Sequence, residues 1–188
     1  MVFASYLASC CILCSFSSIY HIFSCHSERV HDIVVRLDFV GIIFVIASSF
    51  AISLHYGFHC DRFYRNLYMT VTVLLDFSML AFSFLRIEPA KRRFLFVAAV
   101  LFSIVPLSHL VYLYGVNHIV FRTVCVVLVL YSFAFGFYAS RFPEKYFPRR
   151  FDVFGSSHQI WHLLLDVAFV YFYVAMESVH MQIKYIEC

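Results

Sequence analysis

Six continuous apolar runs constrain this chain more than any other feature. They cover Val2–Phe23, Phe39–Phe58, Leu67–Leu85, Phe94–Tyr114, Ile119–Ser140 and His158–Met176. A helix rises about 1.5 Å per residue, so about 20 apolar residues cross the hydrocarbon of a bilayer. Each run has that length, and the linkers between them are short and hold nearly all the charge. Composition agrees: 63% of the residues are hydrophobic and 13% charged, against about 45–50% and about 25% in soluble domains. A water-soluble fold has no way to bury so much apolar surface.

The runs are too long and too evenly apolar for a β-barrel, whose strands are about 10 residues of alternating character. The first run begins at Met1 without a basic leader or a small-residue cleavage site, so it reads as a span rather than a signal peptide. The expected fold is an all-α membrane protein, a bundle of six transmembrane helices in one domain over residues 1–188. Pro106 is expected to kink the fourth span.

Lysine and arginine set the expected orientation. The first, third and fifth linkers hold ten: Arg29, Arg36, Arg86, Lys91, Arg92, Arg93, Arg141, Lys145, Arg149 and Arg150. The opposite side holds four: Arg62, Arg65, Arg122 and Lys184. Those three linkers therefore read as cytosolic and both termini as exterior or lumenal. The net charge of +3 reflects this asymmetry and makes no case for nucleic acid. Cys10, Cys11, Cys14 and Cys125 read as thiols within spans, and Cys25 as facing the cytosol. Cys60 and Cys188 fall on the oxidising side, where a disulfide is the expectation to test.

Ionisable groups inside a membrane are costly, so each one is a candidate site. His21 ends the first span on the cytosolic side, with Ser17 one turn earlier on the same face. Asp38 starts the second span. His158 and His162 start the sixth and lie one turn apart, so both rings can face one point. These five residues share a depth near the inner leaflet. Two readings stand side by side. Three imidazoles suit zinc, which in catalytic sites takes three protein ligands and a water. Alternatively, each histidine hydrogen-bonds a neighbouring helix and binds nothing. On the first reading His21, His158 and His162 are ligands, Asp38 and Ser17 hydrogen-bond the water or support the ligands, and Asp38 orients the water or accepts its proton; zinc lowers the pKa of that water to about 7.

Other polar groups carry less. His55, His59, His118 and His180 lie near the outer interface, and His26 and His31 in a cytosolic loop. His109 is expected to hydrogen-bond across helices. Asp76 and Asp166 are read as cavity or packing residues. The stretch RFPEKYFPRRFD is basic and bounded by prolines. It reads as an orientation signal, or as a surface for a cytosolic partner or anionic lipid.

Four stretches carry a family resemblance: SFSSIYHIFSCHSE (Ser15–Glu28), LDFVG (Leu37–Gly41), PEKYFP (Pro143–Pro148) and GSSHQIWH (Gly155–His162). In order, spacing and placement the chain resembles the progestin and adipoQ receptor family, which includes the adiponectin receptors and is related to the hemolysin-III proteins. Its wording is similar to that of the Golgi-resident member that traps Raf kinase. The resemblance implies a seven-helix fold with a cytosolic N-terminus, of which this chain is expected to lack the first helix and the segment before it. It also implies a zinc site near the cytosolic face, with His21, His158 and His162 as ligands and Ser17 and Asp38 beside them. Two functions follow as expectations. One is a receptor-like signalling regulator or scaffold in the Golgi or another membrane, with a Raf-like kinase as partner. The other is a zinc-dependent amidase that hydrolyses ceramide among the membrane lipids.

Overall fold

The computed structural model describes residues 2–85 and 89–183. Arg86, Lys184 and Cys188 lie outside the described residues, as do the side chains of Lys91, Arg92 and Arg93. Every regular element described is a helix. In chain order they are α1 (Val2–Phe23), α2 (Glu28–Gly57), α3 (Arg62–Phe84), α4 (Pro89–Phe102), α5 (Ile104–Tyr114), α6 (Ile119–Ser140) and α7 (Ser157–Ile183). Six helical stretches are long and apolar enough to span a membrane, the fourth ending in α5. The chain is an integral membrane protein.

The expected kink is a break in the fourth span. Pro106 has no N–H to give the carbonyl of Phe102, and its ring crowds that carbonyl. The helix ends at Phe102 and restarts at Ile104. Ser103 sits at the joint, and its N–H and hydroxyl both donate to the Val100 carbonyl, at 3.1 and 2.6 Å. α2 departs further from the expected span, starting eleven residues before Phe39, at Glu28. Ser27 caps it by accepting from the Val30 N–H at 3.3 Å, and Glu28 suits the positive end of the helix dipole. The added turns are polar, so apolar length alone misses them. His31 therefore lies in α2 rather than in a loop, and Asp38 lies well inside the helix rather than at its start.

The helices form two compact units, α1–α5 and α6–α7. In the first, α1 packs on α2 and α2 on α3. Phe3 stacks on Tyr56 at 5.9 Å, and Tyr6 and Ile52 are fully buried. Arg36 of α2 donates to the Phe84 carbonyl at the end of α3 at 3.3 Å, which satisfies a carbonyl left open at a helix terminus. At the other end of the same helix, Tyr114 donates to Asp61. His109 accepts from or donates to the Tyr68 hydroxyl at 2.9 Å, the interhelical bond expected of it. In the second unit α6 packs on α7. Ala134 and Ala168 are fully buried, and such small residues let membrane helices approach closely.

Large apolar side chains stand exposed along the helices, among them Phe77 at 71%, Val129 at 67% and Val170 at 65%. Faces of this kind suit lipid as solvent. Cys10, Cys11, Cys14, Cys25 and Cys125 are in no disulfide, and Cys60 is disulfide-bonded.

Candidate metal centre

In the first unit, one close helix contact positions three candidate residues. A Cβ added at Gly41 would lie 2.8 Å from the Leu13 Cα, so only glycine lets α2 come this near α1. Ser17 and His21 follow Leu13 at one and two turns of α1, and Asp38 precedes Gly41 by three residues on α2. Leu13, Ser17 and His21 therefore share one face of α1, and Asp38 and Gly41 one face of α2. Asp38 is half-buried and interacts with both Ser17 and His21.

Ser17 behaves unlike its neighbours. Ser5, Ser9, Ser15 and Ser18 each donate to a carbonyl three or four residues back in α1. The Ser17 hydroxyl is buried and is not so engaged; it lies beside the Asp38 carboxylate, on which it acts. A buried hydroxyl left short of a partner is costly in a fold, and here it lies beside a carboxylate and an imidazole. That donor set fits a polar guest such as a metal ion with its water.

In the second unit, His158 and His162 lie on the first turns of α7 with ring centroids 4.9 Å apart. Tyr138 of α6 packs on His158 and on Trp161, at 5.7 and 5.4 Å. Trp161 contacts both histidine rings, at 5.2 and 4.7 Å. The start of the helix is fixed from outside it. Glu144 accepts from the Ser157 N–H at 2.8 Å and from the Ser157 hydroxyl. The Gln159 carbonyl accepts from the Gly155 and Ser156 N–H groups at 2.6 and 3.3 Å, while its amide donates to the Val153 carbonyl at 3.0 Å. Five polar groups at and just before the helix N-terminus are thereby satisfied. Burial pushes the Glu144 carboxyl up, but the Ser157 donors and the nearby Arg141 charge outweigh it and hold the group below its usual value.

Ser17, His21 and Asp38 thus meet on α1 and α2, and His158 and His162 stand together on α7. Asp166 is exposed one turn beyond His162, and Asp76 is half-buried on α3. The roles of Glu144, Gln159 and Gly41 escaped the reading of the sequence. The only signals for them were their places within PEKYFP, GSSHQIWH and LDFVG.

A family model described as haemolysin-III related matches residues 1–173. The chain belongs to that family. It is 36% identical over 172 residues to progestin and adipoQ receptor family member 3 of Mus musculus, covering 84% of this chain and 53% of the relative. It is 36% identical over 164 residues to heptahelical transmembrane protein 5 of Arabidopsis thaliana, covering 82% and 43%. It is 30% identical over 198 residues to the adiponectin receptor protein of Drosophila melanogaster, covering 100% and 45%. The chain spans about half the length of the curated relatives it matches. As a haemolysin-III relative it shares its membrane helices with the progestin and adipoQ receptors, as its sequence motifs implied.

Proposed function

We propose that this chain is a receptor-like membrane regulator with one zinc site near the cytosolic face, held by His21, His158 and His162. The observation that supports it most is the Ser17–His21–Asp38 grouping, in which a buried hydroxyl short of a partner faces a carboxylate and an imidazole. The His158–His162 pair, stiffened by Tyr138, Trp161 and Glu144, supplies two further imidazoles one turn apart. Zinc, when bound, supplies a Lewis acid and lowers the pKa of water to about 7. On this reading the zinc ties helices together, and the protein acts as a signalling regulator or scaffold in an endomembrane such as the Golgi. A Raf-like cytosolic kinase is the proposed partner.

One observation favours a second reading, a ceramide amidohydrolase. Asp38 is a half-buried carboxylate beside Ser17, a placement in which it can orient a water and accept its proton. Three imidazoles also leave a fourth zinc position open. Ceramide turnover by the zinc-loaded protein separates the readings. Turnover that Asp38→Ala abolishes with zinc retained supports the amidase, and no turnover supports the scaffold.

A further inference from the structure

The loop that joins α6 to α7 holds a cleft of about 630 Å³, lined by Arg141, Glu144, Lys145, Arg149 and Asp152 among others. We propose that this cleft binds the phosphorylated headgroup of an anionic membrane lipid.

α6 ends at Ser140 and Arg141 is its C-cap, so the cleft opens where a span leaves the hydrocarbon, at headgroup depth. Phe142, Tyr146 and Phe147 of the same loop are exposed, and aromatic rings favour that interface.

Among the described residues, Arg141, Lys145 and Arg149 make no ion pair within 4.0 Å. Two guanidinium forks and an ammonium therefore line the cleft against two carboxylates, a net positive charge, and the Glu144 oxygens are already taken by Ser157. Such forks match the oxygens of a phosphate, and the ammonium adds a compact charge.

Arg141 and Arg149 have φ of 53° and 70°, left-handed values that residues with a Cβ seldom adopt. The chain turns sharply at both arginines that line the cleft.

The test uses the full chain in detergent, titrated with a fluorescent short-chain phosphatidylinositol 4-phosphate and followed by polarisation. A hydrogen bond to a charged group contributes roughly tenfold in affinity. Arg149→Gln and Lys145→Gln are each expected to weaken binding by that factor, and Arg149→Lys by less, since it keeps the charge and loses the fork. Arg150→Gln removes the same charge from a neighbour outside the lining and is expected to leave affinity unchanged. Equal losses from Arg149→Gln and Arg150→Gln would mean diffuse attraction and overturn the site. Unlabelled phosphatidylinositol 4-phosphate should displace the probe, and inorganic phosphate at the same concentration should not. Equal displacement by inorganic phosphate would overturn the lipid assignment, as would no binding by the natural chain. Helicity measured on each variant confirms that it is folded.

Discussion

The Glu144 carboxylate accepts from both the backbone N–H and the hydroxyl of Ser157, the residue before His158. A loop residue thirteen positions upstream thus fixes the first turn of the helix that carries the histidine pair. Glu144→Ala leaves the Ser157 donors without their acceptor, at a cost of about 1–3 kcal/mol where such a group is shielded from water. The same bond makes that turn sensitive to pH. The carboxyl of Glu144 lies below its ordinary value of 4.5 in the fold. The carboxylate therefore stabilises the native state above that pH, and the contribution is lost as pH falls through the folded value. Hydrogen exchange at residues 157–160 should stay protected down to the ordinary carboxylate range and rise below it. In Glu144→Gln that pH dependence should vanish.

Gly41→Ala tests the contact between α1 and α2. The new Cβ would meet the Leu13 backbone at 2.8 Å, so the helices must separate. Overpacking of this kind costs about 1–3 kcal/mol. Thermal unfolding in detergent should show the loss. Leu13→Ala should not rescue it, because the nearest obstructing atom is the Cα.

Ser17→Ala should separate fold from function. It removes a buried hydroxyl short of a partner, so the zinc-free protein should be as stable as the natural chain or more so. The stabilisation gained on adding zinc should fall. A drop in zinc-free stability instead would place the hydroxyl in the packing.

Tyr68→Phe removes the 2.9 Å bond to His109. Hydrogen bonds between membrane helices average about 0.6 kcal/mol and reach about 1.7. A fall within that range, with zinc content unchanged, would assign His109 to packing. A loss of zinc would assign it to the site.

How far each feature was legible follows from its physics. The span over Ile119–Ser140 matches α6 end for end, because composition changes abruptly at both ends. The break at Ser103 was legible through Pro106, whose missing N–H acts one turn back along the helix. The depth of Asp38 in α2 was not, since the turns before it are polar and a serine cap marks their start. His158 and His162 were readable as a pair because one helical turn relates them. Spacing does not report on groups joined only by packing, so Glu144 reaching Ser157 from a loop left no periodic trace. Gly41 was visible as a letter, but its role depends on which helix face Leu13 presents.

The proposed zinc site of His21, His158 and His162 can be tested by what the protein carries when purified. The direct measurement is metal content of the purified full chain, by mass spectrometry, beside His21→Ala and the double variant His158→Ala with His162→Ala. A single three-histidine site gives about one zinc per natural chain. Zinc should fall near zero in both variants, with helicity retained. Stoichiometric zinc persisting in either folded variant would contradict that site.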